Sequence, residues 1–183
     1  MVYLLLADGF EEIEALLPLD ILRRGGVEVR TVGITGKTVV GAHGVCVAAD
    51  IDADEAEENA EMVILPGGMP GAAHLDASPA VDRLLKAAEK NGARMAAICA
   101  APMVLGHRGL LAGKHAVCYP GFEKDLKGAL PCDKRVVCDG LVTTAVGMGA
   151  AAEFGFSLLS QLKGEAEAER VRRSALFAEE PTA

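Results

Sequence analysis

Cys99 is the residue of this sequence best placed for nucleophilic chemistry. Arg94 to Ile98 is typical of a short buried strand, and Pro102 stands where a helix would begin, so Cys99 falls on the turn between them. Helix amides near such a turn stabilise a thiolate, and a tight turn holds the side chain toward the carboxyl edge of a sheet. Because free cysteine is often buried as a small hydrophobe, two interpretations stand, a reactive thiol or a core residue.

Glu14 is a carboxylate at a position where an apolar side chain is expected. It falls in a predicted helix from Glu11 to Arg24, which Pro18 should kink or interrupt. The helix carries an apolar stripe at the spacing i, i+3, i+7, i+11, formed by Phe10, Ile13, Leu17 and Ile21. Either Glu14 extends from the edge of this stripe to water, or it is a buried acid with a raised pKa, which suits proton transfer near neutral pH.

Gly67 and Gly68 follow the short apolar strand predicted at Met62 to Leu65. Glycines let the backbone bend tightly and present its amide groups. The sequence P-G-G-M-P-G is equally compatible with a plain turn and with an anion-binding loop.

Strands and helices alternate through the first hundred residues. The predicted elements are a strand at 2–6, the helix at 11–24, a strand at 27–32, strand character at 39–47, an acidic helix-compatible segment at 50–60, a strand at 62–65, a helix capped by Ser78 that ends at Gly92, and the strand at 94–98. This order predicts an α/β fold with a parallel sheet and helices on both faces. Its ligand site lies beyond the carboxyl ends of the strands, where Glu14, Gly67-Gly68 and Cys99 fall.

The rest of the chain has a different pattern. It predicts a short strand at 116–119, a hairpin around Asp139-Gly140, an amphipathic helix at 150–162 and a charged helix near 165–177. We expect the tail after that helix to fray. A chain of 183 residues without repeats or a low-complexity linker is expected to form one domain, residues 1–183.

Composition favours a small-molecule partner. A formal charge of −8 without a basic stripe disfavours nucleic acid and anionic membranes, and no apolar run has transmembrane length. The N-terminal apolar run lacks the features of a secretory signal, so we expect a cytoplasmic protein. Five cysteines without a C-x-x-C spacing are expected to be free thiols. Four scattered histidines show no ligand spacing, so no metal and no cofactor are expected.

Four segments of the chain, in order, resemble one known family. They are LLLADGFEEIEALLPLDILRRGG, VILPGGMPGA, AAICAAP and DGLVTTAVGMG. From about residue 2 to about residue 165 the chain resembles the DJ-one/ThiJ/PfpI superfamily, in particular its small single-domain branch. The resemblance implies a flavodoxin-like three-layer sandwich with a mostly parallel central sheet, and a homodimer.

The resemblance also implies roles for individual residues. Cys99 would be a reactive cysteine at a nucleophile elbow, hydrogen-bonded to a protonated glutamic acid, Glu14. The oxyanion-type amides would be those of Gly68 and Ala100. His43 lies in a segment where relatives place a basic residue that reaches the site of a neighbouring subunit.

Tyr119 departs from the family pattern. Relatives with a catalytic triad have a histidine before a proline downstream of the elbow, and here Tyr119 stands there. Tyrosine cannot act as a base near neutral pH, so a Cys–His mechanism such as proteolysis requires His107 or His115 as a substitute. The H-x-E pair of glutamine amidotransferases does not occur. Tyr119 and Gly67 are expected to line the site.

Two functions follow from the resemblance. In the first, the Cys99 thiolate adds to methylglyoxal or glyoxal, Glu14 carries the proton, and a 2-hydroxy acid forms without glutathione; deglycase-type repair of early glycation adducts is a related activity. In the second, the protein is an oxidative-stress sensor or chaperone-like protein that acts through oxidation of Cys99, without turnover. In both, we expect the helix start to lower the pKa of Cys99 toward neutrality, and Cys99 to oxidise before the other cysteines, with the exposed Cys132 as its competitor.

Overall fold

The apolar runs of the sequence form the strands of a central sheet. The structure is a computed structural model that describes residues 1–177, so the predicted fraying of the tail at 178–183 lies outside the described residues. The strands are β1 Val2–Leu6, β2 Val29–Gly33, β3 Thr38–Val40, β4 Cys46–Ala48, β5 Ile51–Asp52, β6 Met62–Leu65, β7 Arg94–Ile98, β8 Val136–Asp139 and β9 Val142–Ala145.

Six helices accompany these strands within the described residues. They are α1 Glu12–Arg24, α2 Gly71–Ala77, α3 Pro79–Asn91, α4 Pro102–His107, α5 Ala151–Lys163 and α6 Glu165–Ser174. The caps predicted for α3 are confirmed. The Ser78 hydroxyl accepts a hydrogen bond from the backbone of Val81, and Gly92 ends the helix in the left-handed conformation that glycine adopts readily.

The central sheet has seven strands in the order β5-β2-β1-β6-β7-β9-β8. All neighbours pair in parallel except β8, which pairs antiparallel with β9 as the predicted hairpin. β3 and β4 form a separate antiparallel hairpin. This mostly parallel sheet between two helical layers confirms the α/β class and is a flavodoxin-like sandwich.

Side chains alternate between the two faces of the sheet and form two apolar cores. Leu5 belongs to the core under α2, α3 and α4, and its neighbour Leu4 belongs to the core under α1, α5 and α6. Strands buried on both faces are typical of parallel sheets covered by helices, which explains the continuous apolar runs in the sequence. Among residues 1–177, no helix has the length and apolarity that a membrane crossing requires.

Four sequence predictions were wrong or incomplete. Segment 50–60 forms no long helix but the short strand β5 and one 3₁₀ turn, Ala53–Glu55. Segment 116–119 is not a strand: its pairing is limited to an isolated bridge at His115, and the backbone of Val117 donates to the Thr144 hydroxyl instead. α2 was not predicted. Pro18 does not interrupt α1, which is continuous from Glu12 to Arg24.

Candidate active site

Cys99 lies on the turn between β7 and α4, as the sequence predicts. Its φ is +65°, in the left-handed region that residues other than glycine rarely adopt. Two backbone hydrogen bonds hold this conformation: the Cys99 amide donates to the Ala145 carbonyl over 2.9 Å, and its carbonyl accepts from the Tyr119 amide over 2.8 Å. The position of the thiol is therefore fixed by backbone hydrogen bonds, one to β9 and one from the loop after α4.

Glu14 is buried, with an exposed fraction of 1%. Its Oε2 accepts from the Gly67 amide over 3.0 Å, its carboxyl also accepts from the Met148 amide, and its side chain is hydrogen-bonded to Cys99. The first turn of α1 is fixed by Glu11, whose carboxylate caps the helix by accepting from the Glu14 amide over 2.7 Å. The interpretation that Glu14 extends to water is therefore wrong, and the buried-acid interpretation is confirmed.

The predicted apolar stripe of α1 is partly out of phase with its buried face. Ile13 is 45% exposed, whereas Pro18 and Ile21 are buried against α5. A Cβ built on Gly155 of α5 would lie 2.9 Å from Ile21 Cδ1 and 3.1 Å from Pro18 Cα, so the two helices approach closely at this glycine. This close approach sets the rotation of α1 and turns Glu14 toward the site.

The two side chains perturb each other's protonation. Burial raises the pKa of Glu14 to about 7, the charge of Glu11 adds to the rise, and hydrogen bonds from Cys99, Gly67 and Met148 oppose it. Burial also raises the pKa of the Cys99 thiol to about 12, together with the charge and hydrogen bond of Glu14. The predicted lowering of the Cys99 pKa is therefore wrong, because burial and the neighbouring carboxylate outweigh the local amides. Near neutral pH the Cys99 thiol is therefore protonated and donates its hydrogen bond to the Glu14 carboxyl. Because the pKa of Glu14 is about 7, this carboxyl is partly ionised and can accept the proton.

Backbone amides surround the sulfur. The Gly68 and Ala100 amides both hydrogen-bond to the Cys99 thiol and favour its ionised form. Gly68 has a φ of +89°, which glycine adopts at low cost. A Cβ on Gly67 would lie 2.5 Å from Glu14 Oε2 and 2.6 Å from Cys99 Cβ. Gly67 is thus required for the close approach of acid and thiol, and the anion-binding interpretation of this turn agrees with the hydrogen bond from Gly68 to the sulfur.

Tyr119 flanks the thiol. A Cβ on Gly147 would lie 3.4 Å from the ring carbon Cδ2 of Tyr119 and 3.9 Å from Cys99 Sγ. The two histidines considered as substitutes for a triad histidine are held elsewhere by carboxylates. His107 lies between Asp76 and Asp125, and His115 contacts Asp139. No Cys–His pair is formed by these residues, so the geometry supports a Cys–Glu site.

His43 lies on the β3–β4 hairpin, and its side chain is 72% exposed. Its Nδ1 is 2.8 Å from Glu12 Oε2, and its backbone amide donates to Glu12 Oε1. The hydrogen bond and charge of Glu12 raise the pKa of His43. The pKa of Glu12 is lowered: burial acts to raise this pKa, but the hydrogen bonds from the side chain and backbone of His43 outweigh the effect of burial. Within the described residues, the ligand atoms of Glu11, Glu12 and His43 are close enough for a metal ion, but the hydrogen bonds above already engage them.

Sequence reasoning missed Met148 and Glu12 as parts of this region. Met148 contributes a backbone amide, so no side-chain signal marks it; the indication was its position after β9, at the same sheet edge as Cys99. All five cysteines are free thiols, as predicted. Cys46 in β4 and Cys138 in β8 are exposed.

Comparison with known proteins identifies the family. Residues 1–161 match the DJ-1/PfpI family. Drosophila melanogaster protein dj-1beta is 35% identical over 95% of each chain, and the Caenorhabditis elegans protein named glutathione-independent glyoxalase DJR-1.2 is 33% identical over 88% of this chain and 87% of its own. The chain spans 39% and 46% of the length of two Arabidopsis thaliana relatives, DJ-1 homologs B and A.

A solved structure shows the same fold. The structure described as Toxoplasma gondii DJ-1, oxidized, superposes with a TM-score of 0.93 at 35% identity, covering 97% of this chain and 98% of the other. The sequence match and the fold agree over the segments that carry Glu14, Gly67-Gly68 and Cys99. The chain therefore belongs to the DJ-1/PfpI family.

Proposed function

We propose that this protein is a cysteine-dependent, glutathione-independent glyoxalase that converts methylglyoxal or glyoxal into a 2-hydroxy acid, with deglycase-type hydrolysis as a related activity. The observation that carries the proposal is the hydrogen-bonded pair formed by the buried Glu14 and the half-buried Cys99. A carboxyl with a pKa of about 7 both accepts and returns a proton near neutral pH, which is what a general acid–base must do.

The reaction begins with attack by sulfur. As Cys99 Sγ bonds to the aldehyde carbon, its proton passes to the Glu14 carboxylate, and the carbonyl oxygen, once protonated, becomes the hydroxyl of a hemithioacetal. Glu14 then removes the proton from the former aldehyde carbon and returns it to the neighbouring carbon, while the proton of the hemithioacetal hydroxyl moves to the oxygen of the neighbouring carbonyl. This shift oxidises the first carbon to a thioester and reduces the ketone to an alcohol. Water cleaves the thioester, releasing the 2-hydroxy acid and the free thiol.

The amides next to sulfur stabilise charge in this sequence. When an aldehyde is bonded to Cys99 Sγ, its oxygen is within reach of donors that surround the sulfur, those of Gly68 and Ala100. Fixed donors at the position of a developing oxyanion lower the barrier because they need no reorganisation. The name of the C. elegans relative, a glutathione-independent glyoxalase, supports the assignment of this chemistry.

The test is lactate formation from methylglyoxal by the purified protein. Replacement of the nucleophile, Cys99→Ser, should abolish turnover. Replacement of the acid, Glu14→Gln, keeps the size and neutral hydrogen bonding of the protonated carboxyl, and should lower kcat by about 10²–10⁴-fold, as expected for lost general acid–base catalysis. Wild-type turnover in either variant, or no lactate from the wild-type protein at high concentration, would contradict the proposal.

A redox role is the second candidate, with no turnover. It is favoured by the amide donors of Gly68 and Ala100 at the sulfur, since the same donors would hydrogen-bond the oxygens of a sulfinate. The oxidised state named for the T. gondii relative supports this reading of the site. Hydrogen peroxide followed by peptide mass spectrometry tests it: because Glu14 can accept the thiol proton as sulfur attacks the peroxide, Cys99 should gain two oxygens before Cys132 gains any. Oxidation of Cys132 alone would exclude a sensor role for Cys99.

We also propose a homodimer of single-domain chains in the cytoplasm. Ile13 of α1 is 45% exposed and Leu16 and Leu17 beside it are only half-buried, so α1 presents an apolar surface that a second copy would cover. His43, at the tip of the neighbouring hairpin, would then face the partner's site. Five free thiols support a reducing compartment.

A further inference from the structure

A cavity of about 380 Å³ lies next to the Cys99 site. Its wall includes Cys118 and Val146, the residues directly before Tyr119 and Gly147. Gly147 borders the thiol and Tyr119 lies beside Gly147, since a Cβ built on Gly147 would be 3.9 Å from Cys99 Sγ and 3.4 Å from the Tyr119 ring. Consecutive Cα atoms are about 3.8 Å apart, so the same two backbone segments form the wall of the cavity and the wall of the site.

The lining of this cavity is mainly apolar. It comprises Ala116, Val117, Leu126, Ala129, Leu130 and Pro131 in addition to Val146. Its charged members, Glu123, Asp133 and Lys134, are exposed, as are Leu130 and Pro131, so these five form the solvent side, whereas Ala116, Val117, Cys118 and Leu126 are buried. An apolar interior with polar groups at the solvent side is typical of a site for a small ligand, and the volume falls in the usual range of about 300–1,000 Å³. The methyl group of methylglyoxal would leave most of this space empty.

We propose that this cavity binds the apolar tail of the substrate, and that the site acts on 2-oxoaldehydes with a substituent several carbons longer than methyl. The inference rests on the proposed glyoxalase function and names its substrate class. With the aldehyde carbon bonded to Cys99 Sγ, the substituent on the second carbon runs along the half-exposed Tyr119 side chain, at the rim shared by the site and the cavity, and enters the cavity from there. Tyr119, at the position where some relatives carry histidine, then lines the passage and takes no part in proton transfer.

The first experiment compares kcat/KM for methylglyoxal, 2-oxopentanal and 2-oxooctanal. Burial of each added methylene should raise kcat/KM about fourfold until the cavity is filled. Ala129→Phe places a ring in the cavity and should abolish the dependence on chain length. Ala80→Phe, at a half-buried alanine of α3 that does not line the cavity, is the matched control and should retain it. Equal kcat/KM for the three substrates in the wild-type protein would overturn the inference.

The second experiment needs no turnover and no cavity variant. Cys132, a half-buried thiol in the cavity wall, serves as a reporter in the Cys99→Ser protein. The product-like acid 2-hydroxyoctanoate should slow its alkylation by iodoacetamide, measured by peptide mass spectrometry, whereas lactate should not. Equal labelling with both acids would overturn the cavity assignment. If 2-hydroxyoctanoate protects Cys132 in the Cys99→Ser variant but the wild-type protein forms no lactate from methylglyoxal, the glyoxalase proposal is refuted while the cavity is supported as a binding site.

Discussion

Glu14 and Cys99 control each other's proton, and this coupling is open to direct measurement. The carboxylate raises the pKa of the thiol through its charge and hydrogen bond, after the larger effect of burial. Glu14→Gln removes that charge, so the pKa of Cys99 should fall below about 12 and its alkylation by iodoacetamide at pH 9 should become faster than in the wild-type protein. Site-resolved alkylation rates between pH 7 and pH 11 give the two profiles.

Cys118 is the internal control for that measurement. Burial, with the charges of Glu123 and Asp125, raises its pKa to about 11, and none of these groups changes in Glu14→Gln. Its profile should therefore be the same in both proteins. Faster alkylation of Cys99 combined with lost turnover would assign Glu14 to proton transfer; an unchanged Cys99 profile would mean that the two side chains are not coupled in solution.

The raised pKa of Glu14 also makes stability depend on pH. In the unfolded chain the carboxyl ionises near its ordinary pKa of 4.5, and in the folded protein near 7. The unfolded state therefore loses this proton first, and the free energy of unfolding falls as pH rises from 4.5 to 7, by about 3 kcal/mol if the whole shift acts.

Urea unfolding at pH 5 and pH 8 measures this contribution, as the difference between wild-type protein and Glu14→Gln. The difference removes the opposing contribution of carboxyls with lowered pKa, such as Asp50, which both proteins share. The variant should be the more stable protein at pH 8, and the two should converge at low pH. A wild-type protein that is more stable than the variant at pH 8 would mean that Glu14 is ionised at no cost.

At the scale of elements, the site depends on loops that approach one another closely at glycine. Gly67→Ala should destabilise the protein by about 1–3 kcal/mol and lower activity, because its Cβ would lie 2.5 Å from Glu14 Oε2 and 2.6 Å from Cys99 Cβ. Gly149→Ala, after β9, is the control, since its Cβ would meet only the end of Arg135 at 3.8 Å. Thermal unfolding measures the effect: the melting temperature of Gly67→Ala should be lower than that of Gly149→Ala. Equal melting temperatures would exclude a packing role for Gly67.

The sequence predicted the elements whose signals are local and repeated. β1 and β6 are continuous apolar runs, β7 is apolar after Arg94, and α3 carries both caps, so these were predicted correctly. α2 has only seven residues, too few for a helical period to stand out. Segment 50–60 satisfies helix propensity, but pairing of β5 with β2 overrides it.

The site was predictable in its residues and not in its electrostatics. Cys99, Glu14 and the glycine pair follow strands or begin a helix at one sheet edge, a position that topology alone supplies. The burial of Glu14 depends on the rotation of α1, which Gly155 of α5 fixes. Such a long-range contact has no local signal, and without it neither the raised pKa of Glu14 nor that of Cys99 follows from the sequence.

At the scale of the whole molecule, the exposed apolar face of α1 is the surface at which we expect two copies of the chain to associate. Ile13→Glu places a charge on the apolar surface proposed as the dimer interface, so this variant should sediment as a monomer where the wild-type protein sediments as the proposed dimer. Leu141→Glu is the control, because Leu141 is comparably exposed, at 39%, but lies on the β8–β9 hairpin. A wild-type monomer, or a dimer unaffected by Ile13→Glu, would contradict the proposed interface and the role of His43 in a partner's site.

The left-handed backbone at Cys99 places this protein under a trade-off between stability and function. A φ of +65° costs a residue with a Cβ about 1–2 kcal/mol relative to the right-handed region, and glycine avoids most of that cost. Optimisation for folding alone would therefore favour glycine at residue 99 and would remove the thiol. Directed evolution for heat resistance, without selection for activity, should accumulate changes at this turn first, and thermostable descendants obtained in that way should be inactive.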